Sequence, residues 1–330
     1  MCNRNPKSEI RNPKSYEPID VSSLKTYPLT SRKSKVDRTD FARPWKPEGS
    51  LEDFLDRLPN ILAVKDFKAV VSAIAKAYKG GKNVVLAMGG HVIKVGLNPV
   101  VIDLMKQGVI TAIAMNGAGI IHDLEVAMIG RTSEDVLEGL EHGAFGMAQE
   151  TADFLNRAIS KAGKEDLGLG QAIGQAIIEE NLPFGKESIL AAAIQLQIPA
   201  TVHVAIGTDI IHIHPGFDPE AAGKATHLDF RLFASVVATL EDGVYMNVGS
   251  AVILPEVFLK ALTLTRNMGH KVERFTAVNM DFIRHYRPTT NVVERPTSMG
   301  GVGYTLIGHH EIMFPLLAAA VVEKIGGVSK

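Results

Sequence analysis

One cysteine, Cys2, is the only thiol in this chain of 330 residues. A lone thiol excludes a disulfide framework and a thiolate metal site, and the compartment expected from it is the reducing cytoplasm. Aromatic residues are scarce at 6%, with a single tryptophan, too few to lay out a base-stacking surface for single-stranded nucleic acid. No charge sign dominates: 35 Lys and Arg stand against 36 Asp and Glu. Nothing global therefore draws the chain to nucleic acid or to an anionic membrane. Long apolar runs are also missing. Val84 to Met88, Val109 to Ala114 and Ile312 to Val322 fall short of the roughly 20 residues of a spanning helix. The N-terminus has no apolar core of the signal-peptide kind. There is no Walker sequence and no Gly-x-Ser-x-Gly elbow, which argues against a P-loop NTPase and a serine hydrolase of that type.

What is present begins unevenly. Seven of the 16 prolines fall before residue 60, and Asn5-Pro6-Lys7-Ser8 recurs as Asn12-Pro13-Lys14-Ser15. Residues 1–50 are expected to be disordered or an extended N-terminal arm, and Phe41, Trp45 and Leu51 are candidates to anchor residues 40–58 on a neighbouring surface. Residues 51–330 read as a single α/β domain. Phe67, Val70, Val71, Ile74 and Tyr78 recur at helical spacing before Gly80-Gly81. Five short apolar runs follow at intervals, suited to strands buried on both faces. They are Val84 to Met88, Val109 to Met115, Ala200 to Ile206, Val244 to Val248 and Val272 to Val278. Helical stretches separate them, so the expected sheet is parallel. Residues 133–162 read as one long helical stretch with Ser133 as its cap, and Gly143 and Gly146 as breaks or kinks. Residues 286–308 read as a long functional loop, and Ile312 to Lys324 as a final apolar helix.

Each expected strand ends in small or polar residues: Gly89-Gly90-His91, Asn116-Gly117-Ala118-Gly119, Gly207-Thr208-Asp209, Gly249-Ser250 and Asn279-Met280-Asp281. In an open parallel sheet such ends share one edge, where ligands bind. Free N–H groups in the Asn116 to Gly119 turn are suited to an anion or a nucleotide edge. The dinucleotide fingerprint is incomplete, because His122 stands at the third glycine position. His91 and Lys94 could contact phosphate. His203, Asp209, His212 and His214 raise a metal-site alternative, since His212-x-His214 in extended chain points both imidazoles to one side. The favoured reading of these residues holds no metal.

Taken in order, these runs resemble the deoxyhypusine synthase family, from about residue 66 to the last helix. Asn116-Gly117-Ala118-Gly119-Ile120-Ile121-His122-Asp123 stands where the family has Thr-Ala-Gly-Gly-Val-Glu-Glu-Asp. Ala205-Ile206-Gly207-Thr208-Asp209 stands for its Gly-Ser-x-Gly-Asp, and Phe314-Pro315-Leu316-Leu317 matches the start of its final helix. The resemblance implies a Rossmann-like parallel sheet flanked by helices, an NAD site at the strand ends, and a homotetramer with sites shared between subunits. The departures matter as much. The family's Ser-Trp-Gly-Lys is matched by Ser298-Met299-Gly300-Gly301, so the imine-forming lysine is lost. Lys94 is better placed than Lys260 to take its position. Ile121-His122 replaces an acidic pair. The expectation is an NAD-linked transferase acting on an amine, such as a polyamine, or another small molecule, and not a true deoxyhypusine synthase. His122, Asp209 and His212 are the expected catalytic residues, in a pocket that also includes His214. Gly89, Gly90, His91, Asn116, Gly117, Ala118, Gly119, Asp123, Gly207, Thr208 and Asp209 are expected to hold the cofactor. The alternatives are a non-catalytic nucleotide-binding homologue and a metal-dependent hydrolase using His203, Asp209, His212 and His214.

Overall fold

The structure, a computed structural model, describes residues 16–326; the disorder expected of the first residues concerns mostly positions outside that range. The chain separates into two compact units, Met1–Asp40 and Phe41–Lys330. In the first, residues 16–40 form two short 3-10 turns, Leu29–Ser31 and Arg38–Asp40, and bury no side chain.

The second unit carries every strand found among the described residues. Helix α1 (Leu51–Arg57) starts on a capping box, in which the Ser50 hydroxyl accepts from Asp53 N and the Asp53 carboxylate accepts from Ser50 N. Helix α2 (Leu62–Lys79) buries Phe67, Val70, Val71 and Ile74 and ends at Gly80. Then follow β1 (Val84–Met88), α3 (His91–Lys94), α4 (Asn98–Lys106), β2 (Ala112–Asn116), α5 (Gly117–Ile129), α6 (Val136–Glu141), α7 (Gln149–Glu165), α8 (Leu169–Glu179), α9 (Ile189–Leu196) and β3 (Ala200–His203). Helix α10 (Pro219–Ala238), β4 (Val244–Val248), α11 (Ile253–Asn267), β5 (Thr276–Asp281), α12 (Tyr286–Pro288), β6 (Val302–Ile307) and α13 (His310–Gly326) complete it.

The six strands form one parallel sheet in the order β3-β2-β1-β4-β5-β6. Chain direction away from β1 reverses between β1 and β4, which makes the gap between their C-terminal ends the topological switch point. The central strands are apolar along their whole length because both faces are covered. Leu86, Met88, Ile113, Met115, Met246 and Val278 belong to the core beneath α2, α5, α9 and α13. Val85, Ala87, Ala114, Tyr245 and Ala277 face Phe233 and Val237 of α10 and Phe258 and Leu262 of α11. Tyr245 and Phe258 stack with ring centroids 3.7 Å apart.

Three expectations need correction. Residues 133–162 break at the left-handed Gly143 and Gly146, as those glycines suggest, into α6 and α7, but Asp135, not Ser133, caps α6. The fifth strand lies further on than Val272 to Val278, so Asn279, Met280 and Asp281 are buried strand residues and not a turn. The stretch 286–308 is not a loop. It contains α12, a π-helical segment Thr289–Glu294, and the edge strand β6. No described helix is long and apolar enough to cross a membrane.

Candidate functional site

The site is built from the start of α5. Asn116 closes β2 in extended conformation and its side chain accepts from Gly119 N at 3.1 Å. The residues Gly117, Ala118 and Gly119 are therefore the first turn of a helix, not an open glycine loop. The carboxylate of Asp209 lies directly against Gly117: a Cβ there would fall 2.2 Å from its Oδ2. Only glycine leaves room for that approach. The helix end expected to receive a ligand anion thus receives one from its own chain, where the helix dipole favours it. Asp209 is buried and accepts from Ala205 N at 3.0 Å. Burial holds its carboxyl above the usual range, against the lowering effects of the Ala205 N–H and His212.

One turn further along α5, a hydrogen-bonded chain fixes His122. The Thr132 hydroxyl donates to Glu125 Oε2 at 2.5 Å and lies 2.7 Å from His122 Nδ1. A hydroxyl has one proton, and it is spent on Glu125. His122 Nδ1 is therefore the donor to Thr132, and in the neutral imidazole Nε2 is left as an acceptor. The Thr151 hydroxyl donates to the other Glu125 oxygen at 3.4 Å. Burial pushes the Glu125 carboxyl up, but the nearby His122 and the hydrogen bond from Thr132 outweigh it and hold it below the usual range. The Cδ2–Nε2 edge of the imidazole reaches the end of β1, because a Cβ on Gly90 would lie 2.9 Å from His122 Cδ2.

His122, Glu125, Asn116, Ala118 and Ile121 from the β2 end line a cavity of about 240 Å³ together with Thr208, Asp209 and Ile210, Lys94 of α3 and Ile253 of α11. Glu134, Val136 and Phe145, from the segment around α6, roof it. Four strand ends thus contribute to one space. Its volume lies under the roughly 300–1,000 Å³ of ordinary ligand pockets, so it fits a small molecule or one end of a larger one. The lining holds three carboxylates, Glu125, Glu134 and Asp209, against one ammonium, Lys94.

The other expected residues are placed differently. Gly89 packs against the Gly249 backbone so closely that a Cβ would meet Gly249 O at 2.1 Å. That contact brings β1 and β4 together at the switch point. His91 stands beside it, at the start of α3. Gly119 packs on Met115. Gly207 N donates to His212 Nδ1 at 3.2 Å, while the His212 ring packs on Phe217 and does not line the cavity. His214 Nε2 is bonded to Gly146 O at 2.7 Å. His203 is buried against Thr201 and Phe233, and burial pulls it down to about 3, so it is a neutral core residue. Among the described residues no group of three or more His, Cys, Asp or Glu is placed to hold a metal ion. Asp123 is not available to a cofactor. It is fully buried, and its oxygens accept from Ser188 Oγ, Ile189 N, Leu190 N and Asn98 Nδ2. Ser298 to Gly301, matched to the lysine run, immediately precedes β6. It is thus at the opposite sheet edge from the strand-end crevice, whereas Lys94 lines the cavity. Sequence reading missed Thr132, Glu134 and Phe145, which lie far from any strand-end signal.

No protein-family model matches the chain, and no curated protein does. Among solved structures the chain is similar to unliganded AgrE, with a TM-score of 0.51 and 16% identity over 82% of this chain and 34% of that one. A conserved LOR/SDH protein of Methanococcus maripaludis S2 gives 0.48 and 16% over 91% and 76%. A candidate deoxyhypusine synthase of Entamoeba histolytica gives 0.47 and 13% over 88% and 97%. AgrE is also known in a ternary complex with ornithine and NAD+. The chain spans about a third of the length of AgrE. At these identities the likeness to AgrE is one of fold: an α/β protein with a Rossmann-like parallel sheet.

Proposed function

We propose that this chain is an NAD-linked enzyme that acts on an amine, or another small molecule with a cationic group, and is not a true deoxyhypusine synthase. The observation that carries the reading is His122 Nε2, left as an acceptor by the Thr132–Glu125 chain at a cavity of three carboxylates. The excess of negative charge around the cavity favours a cation, and Phe145 offers a ring beside it. NAD, when bound, would supply a hydride acceptor. In this reading such a group would lie at the β1–β4 switch point, where Gly89 and Gly249 carry no side chains. Gly89, Gly90 and His91 would hold it there, with Ala118 and Thr208 on the cavity side.

In this reading His122 takes the proton that the substrate loses from nitrogen or oxygen. Glu125, through Thr132, steadies the imidazolium that results. Asp209 and Glu134 orient the cationic end, beside Val136 and Phe145. With Gly301 unable to form an imine, any covalent step falls to Lys94. The reading also includes a homotetramer, as the family resemblance implies.

Calorimetric titration with NAD, followed by a panel of amines with absorbance read for NADH, tests this. Wild type is expected to bind NAD and to reduce it with at least one amine. His122→Asn is expected to keep NAD binding and to lose roughly 100-fold or more in turnover, the usual contribution of a general base. Failure of wild type to bind NAD overturns the reading. Binding with no turnover on any amine leaves a nucleotide-binding homologue instead.

A further inference from the structure

Beside the β1 end, on the side away from the His122 cavity, three rings meet. His91 begins α3, Phe282 follows β5, and His310 begins α13. Ring centroids of His91 and His310 are 5.4 Å apart, those of His91 and Phe282 6.1 Å, and those of Phe282 and His310 6.3 Å. Mutual tilts of 49° to 84° make this a cluster packed edge to face. The three come from distant parts of the sequence, and only the sheet order brings them together.

Their exposures differ in a telling way. His310 is 1% exposed, and its Nδ1 has no partner among the described residues. Its Nε2 lies 3.3 Å from Met280 O and 3.9 Å from the buried Asp281 carboxylate. It is the fixed base of the cluster. Phe282 is 47% exposed, an unusual position for a phenyl ring at the end of a buried strand. His91 is also exposed. Burial first, then His310 and Lys94, hold His91 below the usual imidazole range, so it is neutral near pH 7. A neutral imidazole and a phenyl ring present π-faces without charge. His310 also closes the switch point from below, since a Cβ on Gly249 would stand 3.2 Å from its ring.

We propose that His91 and Phe282, backed by the buried His310, form a stacking platform for the planar base of a nucleotide, at the switch point between β1 and β4. This rests on the nucleotide-binding part of the reading above and adds which part of the ligand is recognised, and by what. A base is favoured over a phosphate here because the cluster offers π-faces with the carboxylate of Asp281 beneath it, while the neighbouring Lys94 lines the His122 cavity. The phosphate-binding role considered for His91 is replaced by a stacking one.

NAD, adenosine, nicotinamide mononucleotide and ribose 5-phosphate, titrated into the full chain, test the proposal. Affinity is read by calorimetry, and the imidazole ¹H–¹³C resonances of His91 and His310 by NMR. The base-containing ligands should shift both imidazoles, and whichever of adenosine and nicotinamide mononucleotide shifts them more identifies the end of NAD that stacks. Ribose 5-phosphate should leave them unmoved. Phe282→Ala should weaken NAD about tenfold, while Phe282→Tyr should keep wild-type affinity. Should the alanine variant fail to fold, the wild-type shifts decide alone. Equal NAD affinity in folded Phe282→Ala, or equal shifts from ribose 5-phosphate, overturns the platform and leaves the nucleotide reading standing. Shifts from adenosine with no affinity for NAD would do the reverse. Silence from every ligand overturns both.

Discussion

Two neighbours on α5, His122 and Asp123, show how one residue step separates chemistry from support. Successive helical residues are about 100° apart, so one side chain faces the cavity and the next faces the protein. Asp123 stands at the start of α9, where it accepts from Ile189 N at 2.8 Å and Leu190 N at 3.2 Å. Ser188, itself the cap of that helix, donates to Asp123 at 2.6 Å. A buried carboxylate is costly, and burial raises its pKa despite these three donors and Asn98 Nδ2. Removing it is worse, because two N–H groups and a hydroxyl would be left buried without acceptors. Asp123→Ala should lose about 3–5 kcal/mol of stability, read as a lower urea midpoint at unchanged slope. A loss below about 1 kcal/mol would mean water replaces the carboxylate. The sequence shows Asp123 only as a matching letter in a strand-end motif. Its partners lie 65 to 67 residues further on, which no local pattern reveals.

At the scale of elements, β3 is held by a pair of buried titratable groups with opposite habits. Asp229 of α10 accepts from Val202 N in β3 at 2.8 Å and from Gly170 N in α8 at 3.0 Å, both on Oδ2. Its Oδ1 has no partner, and burial pushes the carboxyl up to about 7. His203 of β3 is pulled down by burial to about 3. Between about pH 4 and 6.5 the folded chain holds a proton on Asp229 that the unfolded chain lacks, so this term loses stability as pH rises. Over the same window the unfolded chain holds a proton on His203 that the folded chain lacks, so that term gains stability as pH rises. Each amounts to about 1.4 kcal/mol per pH unit, and the two cancel. Asp229→Asn keeps an oxygen for both N–H groups and removes one term. Its stability should climb by about 1.4 kcal/mol per pH unit from pH 4.5 to 6.5 beyond any wild-type trend, in urea titrations across that range. Parallel wild-type and mutant profiles would show that Asp229 is ionised in the fold throughout.

The whole molecule explains which parts of the sequence could be read. β1, β2 and β4 sit in the middle of the sheet, and burial makes each a mainly apolar run, interrupted by Asn116 at the end of β2 and Asn247 in β4. β6 lies at the edge, mostly half-exposed, with Gly303 inside it beneath Val293, so it has neither an apolar run nor alternation. The end of β5 has no apolar signal because Asn279 and Asp281 are buried by partners, not by apolarity: Asn247 Nδ2 donates to Asn279 at 2.8 Å, and Asp281 accepts from Phe282 N. The roof of the cavity has the same problem in another form. α6 is six residues long and buries none of them, with Leu137 74% and Leu140 61% exposed. A helix that short does not stand by its own hydrogen bonds, and its apolar face needs a cover. A second subunit laid over α6 would supply that cover and close the roof above Phe145, which is how a tetramer would bear on the site. Light scattering of the full chain should then give four times the 35.6 kDa subunit mass. Leu137→Glu with Leu140→Glu should lower that mass and weaken ligand binding together, since both depend on the same helix. A wild-type mass of 35.6 kDa at micromolar concentration would end the tetramer proposal. A double variant that keeps both mass and affinity would place the subunit contact elsewhere.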